Sequence, residues 1–313
     1  MLLTLFSCPT GANQLDFPTF LAGVRRDALA AGIKPATLDR ALADLQPIPR
    51  VLELDRKQPE TVLTFAQYIE RVVPQQRIET ARARLAENRA LLEEIGAKYG
   101  VQPRFIVALW GIESDFGQHM GTFSVVAALA TLAYDGRRSA FFRTELLNAL
   151  KILDHGDIAP ESMIGSWAGA MGQSQFMPSS FLSYAVNWRG DGRRDIWNRR
   201  EDVFASIANY LSRVGWRRDQ GWGREVTLPP GFDRSLASLD VTKSLAEWQR
   251  LGVRRADGRD LPVGEGAASV IRPGGEEGPA LLVYDNFRTI LKWNKSLFFA
   301  SAVGYLADGI EQR

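Results

Sequence analysis

Pro103-Arg104-Phe105-Ile106-Val107-Ala108-Leu109-Trp110-Gly111-Ile112-Glu113-Ser114-Asp115-Phe116-Gly117 is the stretch that decides how this chain is read. Proline suits the first turn of a helix, and the residues from Phe105 to Ile112 are apolar on every side, which predicts a helix buried all round. Glu113 breaks that pattern. With Ile106, Leu109 and Trp110 it falls at i, i+3, i+4 and i+7, so one stripe carries three core side chains and a carboxylate. Apolar walls disfavour the charged form and raise the pKa above the ordinary ~4.3. A glutamate raised toward ~6 keeps its proton near neutral pH and can donate it to a leaving oxygen. Ser114, Asp115 and Gly117 follow at once, predicting that the helix stops and the carboxylate faces a cleft. Spacing alone leaves another reading open, a buried Glu paired for structure with Arg137 or Arg138.

A second carboxylate would serve ordinary glycoside hydrolysis, yet none is nominated. Asp115, two residues on, points away from Glu113 on a helix. Asp135, Asp154 and Asp157 have no spacing that singles them out.

Around this stretch the first two-thirds of the chain reads as helices separated by Pro and Gly. Phe17 to Ala30 is amphipathic and is broken by Gly32, and Pro35 opens a helix through Leu38, Leu42 and Leu45. Tyr68, Ile69 and Val72 close a segment before Pro74. A single long helix is expected from Pro74, with Ile78, Leu85, Leu92 and Ile95 inward and Gly100 as its stop. Further helices are expected at Val125–Ala133, Arg143–Leu153, Val203–Val214 and Leu297–Leu306. Between Gly221 and Gly278 glycines, prolines and charges interrupt short strand-like pieces, with another at Leu281–Tyr284. The fold class is therefore mainly α (α+β). The expected organisation is a helical N-terminal part over 17–100, a catalytic core over 101–220, a small β-containing lobe over 221–285 and a closing segment over 286–313 that packs back on the core.

The 313 residues are enough for a large buried core, and 38 basic residues nearly cancel 36 acidic ones. That balance gives no argument for a nucleic-acid partner. No apolar run approaches the ~20 residues that span a bilayer. A lone cysteine, Cys8, excludes an internal disulfide and a Cys-based zinc site. Residues 1–16 read as disordered or as a remnant of an export signal. Leu5-Phe6-Ser7-Cys8 loosely resembles the end of a lipoprotein signal, but lacks a positive start, so a lipid anchor at Cys8 is the less favoured reading.

Four ordered blocks resemble the lytic murein transglycosylase B family. The first is Trp110 to Gly117. The second is Gly165-Ser166-Trp167-Ala168-Gly169-Ala170-Met171-Gly172-Gln173-Ser174-Gln175-Phe176-Met177-Pro178-Ser179-Ser180. The third runs from Gly190-Asp191-Gly192-Arg193-Arg194-Asp195-Ile196-Trp197 to Ala208-Asn209-Tyr210-Leu211. The last contains Asn286, Trp293-Asn294 and Ala302-Val303-Gly304. The resemblance implies a lysozyme-like helical core and a periplasmic, monomeric enzyme acting on peptidoglycan glycan strands, with other cell-wall enzymes as plausible partners. It implies Glu113 as sole acid and base, with the muramyl C6 hydroxyl as nucleophile and a 1,6-anhydro sugar as product. It further implies substrate contacts from Ser166, Gln175, Tyr210 and Tyr68, an arginine pair at Arg137 and Arg138 for the stem peptide or sugar, and Asn294. Where the family often has Tyr, this chain has Trp293.

Each residue also has a plainer reading. Gly169 to Gly172 can be a tight turn, Tyr210 can be core, and Trp167, Trp188, Trp197 and Trp293 are more often packing residues than sugar platforms. Some relatives carry an EF-hand-like loop in the third block. Here Asn187, Asp191 and Asp202 are weak calcium candidates, because Arg189 puts a cation where a ligand oxygen belongs and Asn198 stands at loop position 12. No cofactor is expected. Two alternative functions stand beside the transglycosylase, a hydrolytic muramidase and a non-catalytic glycan-binding protein. His119 and His155 lack a nucleophile-elbow sequence, which disfavours Ser-His-Asp chemistry.

Overall fold

A computed structural model describes residues 16–56, 63–264 and 266–311; Cys8 and the expected leader segment lie outside them. The chain folds as two compact units, each built from two stretches of sequence. Of the described residues, one unit takes those up to Arg56 together with Thr122–Ala170, and the other takes those between Arg56 and Thr122 together with those from Met171 on.

The first unit is a helical cluster. Its helices are Phe17–Ala30, Pro35–Ala41, Pro49–Arg56, Val125–Tyr134 and Ser139–His155. Asp16 caps the first of them by accepting the Thr19 N–H at 2.8 Å, one turn in, with Pro18 beside it. Val125–Tyr134 is buried from Val125 through Ala133 and packs along Ser139–His155. Such a helix, apolar all round, belongs in a core rather than on a surface. Two short strands, β1 (Phe123–Ser124) and β2 (Ile164–Gly165), pair antiparallel, with Phe123 opposite Gly165.

In the second unit, Pro103–Ser114 is the central helix, and Phe105 through Trp110 are buried without a break. Helices Gln75–Glu87, Arg89–Tyr99, Arg200–Arg213 and Leu297–Glu311 pack against it. The long helix expected from Pro74 is two helices. Asn88 leaves helical geometry, with φ −110° and ψ 17°, and its side chain donates to the Arg84 carbonyl at 2.8 Å. An Asn that bonds a nearby carbonyl competes with the helical ladder, a local choice that a long apolar stripe conceals.

The strand-like region forms one antiparallel sheet of five strands: β3 (Gly223–Thr227), β4 (Lys243–Ser244), β5 (Arg254–Arg255), β6 (Ala267–Ile271) and β7 (Ala280–Val283). Their order is β4-β6-β7-β3-β5, with Val270 opposite Leu282 and Arg224 opposite Leu282 across the other edge. Trp248, Val253, Val270 and Leu282 form its core, and the Trp248 indole N–H donates to the Ala268 carbonyl at 2.8 Å. Among the described residues, fourteen α-helices beside these short sheets make the chain mainly α, an α+β fold.

Candidate active site

Glu113 occupies the last turn of Pro103–Ser114, and the sequence stops the helix immediately after it. Asp115 and Phe116 both take left-handed backbone angles, φ 50° and 60°, and Gly117 follows at 88°. Two consecutive non-glycine residues in this region cost about 1–3 kcal/mol each and persist only where surroundings over-determine them. Those surroundings are visible. The Ser114 hydroxyl donates to the Gln173 carbonyl at 2.7 Å and accepts the Gly117 N–H at 3.0 Å. The Phe116 ring stands edge-on to Trp110 at 5.3 Å, and a side chain at Gly111 would collide with it.

Gln173 then ties three of the sequence blocks together. Its Oε1 accepts the Trp110 indole N–H at 2.8 Å, its Nε2 donates to the Trp197 carbonyl at 2.7 Å, and its backbone N–H donates to the Ile196 carbonyl at 2.8 Å. Next to it, Gly172 has φ 62°, and a Cβ there would lie 2.7 Å from the Ile196 carbonyl oxygen. Only glycine fits that approach.

The fourth block supplies the partner of Glu113 itself. Trp293, the last residue of helix Asp285–Trp293, donates its indole N–H to Glu113 Oε1 at 2.6 Å. Trp293 is held by rings, edge-on to Tyr210 at 4.6 Å and tilted against Phe176 at 5.1 Å. The Tyr210 hydroxyl donates to the Lys292 carbonyl at 2.7 Å, which pins the backbone beside Trp293. Burial pushes the Glu113 carboxyl up to about 8, and the Trp293 N–H pulls the other way but less. The environment therefore holds a glutamic acid that keeps its proton at neutral pH. The sequence flagged Trp293 as a departure from a tyrosine and as packing; that its N–H meets the acid was not legible, because the two residues lie 180 positions apart.

The remaining candidates take distinct places. Gln175, at φ 48°, spends its amide N–H groups on the Met120 and Gly172 carbonyls, at 3.1 and 2.8 Å. Tyr210 is buried, and burial lifts its hydroxyl to about 12. Tyr68 packs edge-on against Phe298 at 5.5 Å. Asn294 ends the Trp293 helix and accepts the Ser296 N–H at 3.0 Å. Asp115 turns to Arg77 at 3.3 Å and to His119 at 3.7 Å.

The first unit carries Ser166, Arg137 and Arg138. Ser166 closes a tight turn in which its hydroxyl accepts the Ala170 N–H at 3.0 Å and its own N–H donates to the Ala170 carbonyl at 2.8 Å. Arg137 and Arg138 both clamp the buried Asp55, Arg137 through Nε at 2.9 Å and Arg138 through Nη2 at 2.6 Å. The structural ion pair that the sequence left open for Glu113 is in these arginines' case made with Asp55.

The loop with the calcium candidates is closed by arginines. Arg199 binds Asp191 at 2.5 Å, Arg189 binds Glu201 at 2.5 Å, and Arg193 binds Asp195 at 3.1 Å. Asp202 accepts the Trp188 and Asp195 N–H groups, each at 2.8 Å, while Asn187 accepts the Gly190 N–H at 2.9 Å. A hard divalent cation needs six or more converging oxygens. These oxygens already serve guanidinium and amide donors, so the residues do not fit calcium.

Residues 16–308 match the family described as Transglycosylase SLT domain. The chain belongs to the lytic murein transglycosylase B family. It is 34% identical over 225 residues to membrane-bound lytic murein transglycosylase B of Escherichia coli strain K12, a stretch that is 68% of this chain and 58% of that protein. The matched part thus spans little more than half of that relative's length. Among solved structures, SltB3 from Pseudomonas aeruginosa in complex with NAG-anhNAM-pentapeptide superposes with a TM-score of 0.91 at 49% identity, over 94% of this chain and 79% of that one. The E. coli lytic transglycosylase Slt35 in complex with calcium superposes with a TM-score of 0.80 at 27% identity, over 94% and 93%. The lysozyme-like helical core expected from the resemblance is the fold these relatives share.

Proposed function

We propose that this chain is a peptidoglycan lytic transglycosylase. It cleaves the β-1,4 bond between N-acetylmuramic acid and N-acetylglucosamine without water and leaves a 1,6-anhydromuramyl end. One observation carries the reading: the Glu113 carboxyl, in the last turn of a buried helix, is held through Oε1 by the Trp293 indole N–H at 2.6 Å, in surroundings that push it up to about 8.

In the first step Glu113 gives its proton to the glycosidic oxygen as the bond from that oxygen to muramyl C1 breaks. The carboxylate left behind then takes the proton of the muramyl C6 hydroxyl as that oxygen bonds to C1. Glu113 ends the cycle protonated, as it began. The substrate supplies the nucleophile, so no second carboxylate is required to activate water. Asp115, the nearest acid in sequence, is directed to Arg77 and His119, which agrees with a site built around one carboxyl group. The relative SltB3 has been solved with a fragment that carries anhNAM.

The substrate would set the location as the periplasm, and the reaction calls for no bound metal. No helix among the described residues is long and apolar enough to cross a membrane. Clearing of purified sacculi by the wild type, set beside Glu113→Gln, tests the proposal. We expect lysis by the first and none by the second, with wall binding kept. Equal clearing by both would overturn it.

A further inference from the structure

The contact between Trp293 and Glu113 has a direction. An indole N–H donates and cannot accept, so the oxygen it meets must offer a lone pair. That oxygen is Oε1, at 2.6 Å. In a carboxylic acid the carbonyl oxygen is the acceptor and the hydroxyl carries the proton, so the acid proton belongs on Oε2. A tyrosine hydroxyl in this place could either donate or accept, and would leave the proton free to sit on either oxygen.

We propose that Trp293 is a positioning residue that assigns the acid proton of Glu113 to Oε2 and keeps that oxygen as the returning base. This deepens the transglycosylase reading and rests on it. The glycosidic oxygen receives the Oε2 proton, and the C6 hydroxyl proton returns to Oε2. Throughout, the indole N–H stays on Oε1, where it steadies the carboxylate that exists between the two transfers. A hydrogen bond to a charged group is the stronger kind, so the contact favours the ionised intermediate more than the resting acid.

Trp293 is itself held for this task. Tyr210 and Phe176 fix its ring, and the Tyr210 hydroxyl holds the Lys292 carbonyl. Neighbouring charges are engaged elsewhere. Asp115 pairs with Arg77 and His119, Lys292 donates to the Val214 carbonyl at 2.6 Å, and Arg288 donates to Ser269 at 2.7 Å. Burial and this one N–H are what set the carboxyl's proton affinity.

Two measurements test the proposal. In Trp293→Phe the ring remains and the donor is lost. We expect kcat to fall about tenfold to a hundredfold, the span of one hydrogen bond to a charged group, with KM within about twofold. The alkaline limb of the pH–rate profile should also move to higher pH, because a group that favours the carboxylate has gone. Trp293→Tyr should restore part of the rate. An unmoved limb with unchanged kcat would overturn the proposal. The second measurement needs no activity. With 5-fluorotryptophan throughout, the resonance missing in Trp293→Phe identifies Trp293. It should titrate with a midpoint near 8 in wild type and stay flat in Glu113→Gln. A resonance that does not titrate in the wild type contradicts the contact. A wild type that titrates yet yields no anhydro product would remove the transglycosylase reading and leave the contact standing.

Discussion

Gln173 accepts the indole N–H of Trp110 at 2.8 Å, with both side chains buried. Through this bond the helix that carries Glu113 is joined to a glycine-rich loop 63 residues later. Ser114 strengthens the joint, since its hydroxyl donates to the Gln173 carbonyl. Ser114→Ala removes that donor and also the acceptor for the Gly117 N–H, leaving buried polar groups without partners. We expect a loss of about 1–3 kcal/mol and a melting temperature several degrees lower, read by calorimetry. An unchanged melting temperature would mean that the turn holds Glu113 without this joint.

Gly172 and Gly190 offer a controlled comparison. Both have positive φ, 62° and 74°, but a Cβ at Gly172 would strike the Ile196 carbonyl, while one at Gly190 meets nothing within 4 Å. Gly190→Ala should cost only the backbone strain, about 1 kcal/mol. Gly172→Ala should add a packing cost of about 1–3 kcal/mol and displace Gln173. Denaturant midpoints of the two variants check this; equal losses would show that the close approach carries no energy.

Much of this was readable in advance, and the reasons differ by element. The buried helix Pro103–Ser114 was plain because eight consecutive apolar residues have no solvent face to spare. The helix Phe17–Ala30 was plain because its period and its Pro and Gly boundaries agree. The break at Asn88 was hidden, since the apolar stripe runs on across it. Glu113 was visible as a charge out of place. Trp293 and Gln173 were not visible as its supports, because the hydrogen bonds that define them join residues 180 and 63 positions apart. Nor does an arginine pair announce its partner. Asp55 lies 82 residues before Arg137.

That arginine pair leads to a prediction about stability. Arg137 and Arg138 are about half exposed, so each pair with Asp55 is partly screened, and either arginine changed to Ala should cost about 1 kcal/mol or less. Asp55→Ala removes both pairs at once and should lower the melting temperature further than either. If the arginines instead act chiefly on the stem peptide, their loss will raise KM for peptide-bearing glycan relative to denuded glycan while the melting temperature stays put.

Calcium should do nothing. The oxygens of Asp191, Asp202 and Asn187 are committed to Arg199 and to backbone N–H groups. Millimolar calcium and excess chelator should give the same melting temperature, whereas a rise of several degrees with calcium would show that the arginines yield the loop to the ion.

Glu113 links folding to pH. The folded protein holds this proton up to about pH 8, while an unfolded glutamate releases it near 4.5. Between those values the native state binds more protons, so stability is full below about 4.5 and declines as pH rises through 8. Glu113→Gln has no such linkage and keeps an oxygen that can accept from Trp293. It should match the wild type in melting temperature at pH 4 and exceed it by some degrees at pH 9. A variant less stable at pH 9 would mean that the carboxyl group is not held in its neutral form.

We propose that one carboxyl group does both proton transfers because the substrate brings its own nucleophile. Mass analysis of muropeptides released from purified sacculi, by wild type and by Glu113→Gln, tests it most directly. The wild type should release anhydromuramyl products, each one water lighter than its hydrolytic counterpart, and the variant should release none. Products of full hydrolytic mass from the wild type, or anhydro products from the variant, would contradict it.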